Sequence, residues 1–230
     1  MRDLLVTGTD TGVGKTVVAA ALVTALRARG ERALGFKPVE TGISSDEEAD
    51  SEILARASGE RVAHVSPLLQ LREPLAPAVA ADRAGAALDV EELEARIARL
   101  RQDGYTLVIE GAGGVMVPLA WGHGNLAGNR TLFYTVLDLA ARCDLDAIVV
   151  GRAGLGTLNH VALTVLMLQS RGIGVRGVVL NGRSASPDLA ESTNPSVLAR
   201  MLPGMRIFEV PYQRADEVIA GTAAIVDRLL

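Results

Sequence analysis

From Gly8 to Thr16 the chain reads Gly-Thr-Asp-Thr-Gly-Val-Gly-Lys-Thr, bringing small residues, an ammonium and a hydroxyl together in one short run. This is the chemistry of a phosphate cradle. Glycines let backbone N–H groups close around anionic oxygens, Lys15 can reach the β- and γ-phosphates of a nucleotide, and the Thr16 hydroxyl can ligate Mg2+. The run follows the apolar stretch Leu4 to Thr7 and opens a helical pattern reaching about Arg29. The order strand, loop, helix is what a P-loop requires, and the helix N-terminus adds a dipole that favours negative charge. Gly8 and Gly14 enclose five residues, where the usual motif has four.

Such a site needs an acid to complete a metal shell. Glu110 stands at the end of the run Thr106 to Ile109 and before Gly111-Ala112-Gly113-Gly114, where metal-side acids of such sheets occur and where glycine lets backbone approach a ligand. The acidic run from Asp46 to Glu52 offers more carboxylates, but it reads equally as a solvated helix start. Composition does not choose among its members. Gly154 to Asn159 reads either as a helix N-terminus able to receive a carboxylate or as an ordinary glycine-rich connection. Cys143 reads as a small core residue, Trp121 as a packing residue, and His64 and His123 as surface residues without metal-ligand spacing.

The elements that must position these groups are legible as short apolar runs: Leu4 to Thr7, Ala33 to Phe36, Thr106 to Ile109, Ala147 to Val150, Val175 to Leu180 and Arg206 to Val210. Most are continuous rather than alternating, as parallel strands covered on both faces should be. Helical patterns lie between them. The clearest is Asp89 to Gln102, with Asp89 as N-cap, Glu92 in capping-box position, and Leu93, Ile97 and Leu100 on one face. The sequence therefore predicts an α/β fold, a doubly wound and mostly parallel sheet with helices on both faces, of the P-loop type. Residues 66–87, rich in proline and alanine, and 111–129, rich in glycine, are expected to be loops at the carboxyl ends of strands, where ligands bind. With no internal repeat or linker, residues 1–230 are expected to form a single domain.

Composition excludes several classes. The chain has 230 residues, 23 basic and 27 acidic, with a formal net charge of −4, so a nucleic-acid surface is not expected. A hydrophobic share of 49% and a charged share of 22% are ordinary for globular chains. No apolar run approaches the roughly 18 residues of a membrane span, and a single cysteine provides no disulfide framework. A cytoplasmic protein without membrane attachment is expected.

Several pieces in one order make the sequence specific: Gly8 to Thr16 with its five-residue gap, Lys37-Pro38-Val39 with Thr41-Gly42, Glu73-Pro74 with Pro77, Glu110 to Gly114, Gly154 to His160, and Asn181. Together they resemble the dethiobiotin synthetases. That resemblance implies conversion of diaminopelargonate, CO2 and ATP to dethiobiotin, ADP and phosphate, through a carbamate and a carbamic-phosphoric anhydride. It makes Lys37 and Lys15 catalytic and gives Mg2+ to Thr16, Asp50 and Glu110, choosing Asp50 from the acidic run. ATP would be bound by Gly12, Val13, Gly14, Lys15, Thr16, Val17, Asp50, Glu110, Gly111, Ala112 and Gly113, and its base by Asn181, Gly182, Pro211, Tyr212 and Gln213. Substrate would meet Thr11 and Thr41, and also Gly154 and Asn159 across a homodimer interface.

Two rivals share the loop. A partition-type ATPase acting as a nucleotide switch would carry a second lysine where this chain has Asp10, and a GTP switch would carry Asn-Lys-x-Asp where it has Asn181-Gly182-Arg183-Ser184. The basic residues add a compositional sign. They divide into 21 arginines and two lysines, and both lysines, Lys15 and Lys37, belong to the phosphate site. A compact ammonium enters such a cradle where a planar guanidinium does not fit.

Overall fold

Period-two alternation inside the apolar runs decides the layering. Leu4 and Val6 belong to one buried cluster and Leu5 to another; the same split separates Val108 from Leu107 and Ile109, and Ile148 and Val150 from Ala147 and Val149. Each run must be covered on both faces. The computed structural model describes residues 2–44, 46, 48–61, 65–126, 129–211, 219, 222–223 and 227–230, with backbone alone for 123–126 and 129–132.

In chain order the elements are β1 (Leu4–Gly8), α1 (Lys15–Ala28), β2 (Ala33–Phe36), β3 (Val39–Thr41), α2 (Asp50–Ser58), β4 (Leu69–Leu71), α3 (Pro77–Ala84), α4 (Val90–Gln102), β5 (Thr106–Gly114), β6 (Pro118–Leu126), β7 (Asn129–Thr135), α5 (Val136–Arg142), β8 (Asp146–Arg152), α6 (Thr157–Ser170), β9 (Val175–Arg183), α7 (Leu189–Met201) and β10 (Ile207–Pro211), with a 3-10 turn at Asp227–Leu229. Six strands form the central sheet in the order β10-β9-β8-β1-β5-β2, and every pairing is parallel. The expected doubly wound sheet is present. Side chains of α1, of the 3-10 turn and Leu54 of α2 pack on one face, and those of α4 to α7 on the other, where Ala55 of α2 joins them at the edge of the sheet. In α1, Ala19, Ala20 and Ala21 are fully buried beside Val18, Leu22 and Val23. Among the described residues no helix is long and apolar enough to cross a membrane.

Local signals explain the best-read helix. Asp89 caps α4, its carboxylate accepting from the Glu92 N–H at 2.9 Å, and Leu93, Ile97 and Leu100 are buried as expected. Cys143 is buried at the end of α5.

Two segments depart from the expectation of loops. Within residues 66–87, Leu69–Leu71 is a strand paired with β3, and Pro77–Ala84 is a helix with proline in its first turn and Gly85 in the left-handed conformation behind it. A missing N–H costs nothing at a helix start, so this proline opens a helix instead of breaking one. Within 111–129, β5 runs on to Gly114, and β6 and β7 form an antiparallel hairpin despite Gly122, Gly124 and Asn125. These residues are depleted in strands; here cross-strand pairing outweighs their propensity. The hairpin lies against α3, where Trp121 donates its indole N–H to Asp82 at 2.7 Å.

Candidate active site

Strand register brings the site together. Phe36 of β2 pairs with Ile109 of β5, and Val6 of β1 pairs with Glu110. Lys37 and Glu110 therefore leave adjacent strands at the same height, about 4.8 Å apart by ladder geometry, with the loop after β1 on the far side of Glu110. Asp50 is the first residue of α2, behind Ala49 as N-cap.

The result is a compact charged cluster. Lys37 Nζ donates to Asp50 Oδ2 at 2.7 Å and to Glu110 Oε1 at 2.5 Å. Thr16 Oγ1 donates to Asp50 Oδ1 at 2.8 Å and lies 3.1 Å from Glu110 Oε1. Lys15 Nζ donates to the Asp10 carbonyl at 3.0 Å, folding back over the loop. Burial is the largest influence on Lys37 and opposes its charge, but Glu110 and Asp50 outweigh it and hold the ammonium above its ordinary range. Burial pulls Lys15 down, and the nearby Lys37 charge adds to the effect. Burial would raise Asp50, yet Lys37 and the Thr16 hydrogen bond hold it below the usual carboxylate value. Burial pushes Glu110 up, against the pull of Lys37. Of the two carboxylates, Asp50 is the more readily ionised.

Above the cluster opens a cleft of about 650 Å³. Of the candidate residues, Thr11, Gly12, Gly14, Lys15, Thr16, Val17, Lys37, Thr41, Asp50, Glu110, Ala112 and Gly113 line it. Val39, Pro74, Leu75, Ala76, Pro77 and Val117 complete the lining; Val39, Pro74 and Pro77 were part of the motif pattern without an assigned role, and Leu75, Ala76 and Val117 were not singled out. The Glu73-Pro74 and Pro77 pieces of the motif pattern were the available signal.

Other candidates lie elsewhere. Gly111 faces away: a Cβ there would come within 2.8 Å of Val136 Cγ1, so its smallness admits α5. Val13 is buried, and its carbonyl accepts from Asn181 Nδ2 at 3.0 Å. Gly14, the N-cap of α1, has φ 94°, and a Cβ on it would fall 1.9 Å from the same Asn181 nitrogen. Asn181 thus packs on the back of the phosphate loop, near the ends of β9 and β10 where Gly182 and Pro211 lie. Tyr212, Gln213 and His64 are outside the described residues, as is the side chain of His123.

Gly154 and Asn159 do not line this cleft. Their connection is held from below by buried Asn194, whose amide donates to the Ala153 and Gly154 carbonyls at 2.8 and 3.0 Å. Arg152, which the sequence reading passed over, reaches from the end of β8 to the Thr11 carbonyl at 3.2 Å.

Whether the cluster suits Mg2+ is decided by its donors. Glu110 Oε2 is buried and has no hydrogen-bond partner, and Thr16, Asp50 and Glu110 present oxygen alone. Among the described residues no group of three or more His, Cys, Asp or Glu could hold a metal, so an all-protein cage is absent there. A hydroxyl and two carboxylates, leaving positions for phosphate and water, are what Mg2+ takes beside a nucleotide. The residues fit.

Comparison with known proteins decides among the chemistries this cluster allows. A protein 43% identical over 203 residues, 87% of this chain and 86% of its own length, is the ATP-dependent dethiobiotin synthetase BioD of Anaeromyxobacter dehalogenans. Proteins of the same name from Haloferax mediterranei and Aquifex aeolicus are 42% and 38% identical, over 96% and 90% of this chain and 89% and 88% of theirs. The chain belongs to the dethiobiotin synthetase family. A family model described as an AAA domain also matches residues 2–215. Among solved structures, the septum site-determining protein MinD of Pyrococcus horikoshii with Mg-ADP has a TM-score of 0.55 at 15% identity, over 99% of this chain and 93% of that one. An ATP complex of Cyanothece McdA also scores 0.55, at 14% identity over 100% and 90%. At such identities these two share the fold alone. The dethiobiotin synthetase family thus supplies the enzyme class, and the fold neighbours the architecture.

Proposed function

We propose that this chain, folding as one domain over residues 1–230, closes the ureido ring of dethiobiotin from diaminopelargonate, CO2 and ATP, in the cytoplasm. The observation that carries the reading is the meeting of both lysines of the chain, with Thr16, Asp50 and Glu110, in the lining of one cleft that also includes the apolar residues Leu75 and Val117.

The division of labour follows from position. The loop 8–16 and the N-terminus of α1 hold the phosphates of ATP, with Lys15 at the β- and γ-phosphates. Thr16, Asp50 and Glu110 would hold Mg2+, which when bound would supply positive charge to the transferring phosphoryl group. Thr11 and Thr41 line the same cleft and are assigned to the diamine. One amine adds CO2 to give a carbamate, and a carbamate oxygen takes the γ-phosphoryl group with release of ADP. The second amine then attacks the carbamoyl carbon and phosphate leaves, closing the ring. Lys37 lies where its ammonium can face both the carbamate and the γ-phosphoryl oxygens as charge develops. Asn181, Gly182 and Pro211, with Tyr212 and Gln213, are assigned to the base.

The same reading includes a homodimer. Leu155, Leu163 and Leu166 are 94, 60 and 55% exposed, and the last two share an outer face of α6 with Asn159. Such large apolar residues in one stripe favour a partner surface, which would place Gly154 and Asn159 against the neighbouring protomer's cleft. Leu163→Glu is expected to yield monomers by sedimentation velocity, with ring closure lost. A fully active monomer would remove these residues from the substrate site.

The direct test incubates the protein with diaminopelargonate, bicarbonate and Mg·ATP and follows dethiobiotin by mass spectrometry. Product formed in step with ADP is expected. ATP hydrolysis without product would return the chain to a nucleotide switch.

A further inference from the structure

Glu40 lies in β3 with 4% of its surface exposed. Its carboxylate takes no part in the cleft lining. Instead it accepts three hydrogen bonds: Oε1 from the Ser51 N–H at 3.2 Å, and Oε2 from the Ser51 hydroxyl at 2.7 Å and from Gln70 Nε2 at 3.2 Å. Ser51 is the second residue of α2 and is 1% exposed; Gln70 belongs to β4. One buried acid thus joins three elements.

The first N–H groups of a helix have no acceptor within it, and an acid placed there is favoured by the helix dipole. In α2 the N-cap residue is Ala49, which has no side chain able to accept. Glu40 supplies the acceptor from a neighbouring strand. Its place in the chain adds the functional link: Glu40 precedes Thr41, which lines the cleft, and Ser51 follows Asp50, which pairs with Lys37 and Thr16. The body of α2 is packed independently, through Leu54 against the sheet and α1. What Glu40 fixes is the height and rotation of the first turn.

We infer that Glu40 is a positioning residue, setting the Asp50 carboxylate at the distance from Thr16 and Lys37 that binding of Mg2+ and phosphoryl transfer require. The inference rests on the reading of Asp50 as a metal ligand. A shift of about 1 Å in a reacting group can cost on the order of 100-fold in rate, and loss of a residue orienting a ligand typically costs about 10–100-fold in metal affinity or activity. Gln70, the third partner, ties the same carboxylate to the strand that leads towards Pro74 in the cleft wall.

The test compares the full-length protein with Glu40→Ala, Glu40→Gln and Asp50→Asn. Mn2+ affinity of the ADP complex is read by electron paramagnetic resonance, alongside kcat, Mg2+ dependence of turnover and Tm. Glu40→Ala is expected to weaken Mn2+ binding and lower kcat, each about 10–100-fold, with KM for ATP little changed. Glu40→Gln keeps an oxygen for the Ser51 N–H and an amide able to donate to the Ser51 hydroxyl and, once the Gln70 amide turns over to present its oxygen, to Gln70, so it should recover most of both. If Asp50→Asn weakens Mn2+ binding while Glu40→Ala leaves binding and kcat at wild-type values, Glu40 has no positioning role. Equal loss in Glu40→Ala and Glu40→Gln, in step with Tm alone, makes it a purely structural residue and also overturns the inference. Unchanged Mn2+ affinity in Asp50→Asn removes Asp50 from the metal shell, and this role of Glu40 with it.

Discussion

Lys37→Ala is expected to lower kcat for ring closure by about 10²–10³-fold, the loss typical when one donor to developing transition-state charge is removed. ATP affinity should change little, because the phosphate loop and Lys15 remain. The same substitution should also weaken the fold. Lys37 is the ammonium that faces both Asp50 and Glu110, at 2.7 and 2.5 Å, and removing one partner of a buried ion pair costs about 3–5 kcal/mol. Burial already favours the protonated form of Glu110, so uptake of a proton there should offset part of that cost. Mg2+ with ADP, held as proposed, would supply cationic charge to the same oxygens and should return part of the lost Tm. Lys37→Arg preserves charge but not shape, and only 7% of the lysine side chain is exposed. The guanidinium is larger and planar where the ammonium is a compact point charge, so it must displace the two carboxylates that now share one nitrogen, and the arginine variant should lose most activity as well. Turnover of dethiobiotin under saturating ATP, with calorimetry of each variant, measures both effects. Wild-type kcat in either variant would remove Lys37 from the reaction.

Glu110→Gln should have the second largest effect. The change keeps shape and replaces one carboxylate oxygen by an N–H donor. At a group 1% exposed no water can take over the lost role. The amide nitrogen must face either Lys37 or the position of Oε2, and in the first case two donors meet. The Mg2+ concentration for half-maximal turnover is expected to rise by about 100-fold, the upper end of what even indirect ligand partners cost. Thermal stability should fall less, since a neutral group is easier to bury than an acid. A Mg2+ titration superimposable on that of the wild-type protein would take Glu110 out of the shell.

What could be read from sequence follows the range of the interactions involved. The phosphate loop is local: glycines, lysine and threonine sit within one strand-to-helix turn, and the structure places them there. Glu110 was legible because strand end and glycine run adjoin in the chain. Asp50 was legible only through resemblance, because its distinction from Asp46 or Glu48 is the proximity of Lys37, which no composition reveals. Glu40 was missed for the same reason. A lone acid in a short strand has no signature until Ser51 and Gln70 are seen beside it. Pro77 misled because proline and alanine read as a loop when the start of a helix is not recognised, and the β6–β7 hairpin was hidden by glycines that its cross-strand pairing overrides. Asn181 was assigned to the base through resemblance, and the same side chain has a second role that sequence did not suggest: its amide donates to the Val13 carbonyl, a contact spanning most of the chain.

That contact has a consequence for how the nucleotide loop can be reused. The nitrogen of Asn181 fills the space a side chain at position 14 would need, so the bend of the loop is held by its own glycines and by an amide from the opposite half of the sheet. A graft of residues 8–16 onto another parallel sheet would transfer the letters of the motif without the mould that shapes it. Recombination between distant relatives faces the same constraint. Exchange points between α1 and β9 separate the loop from its template, and only parents with matched pieces on both sides would yield a working chimaera.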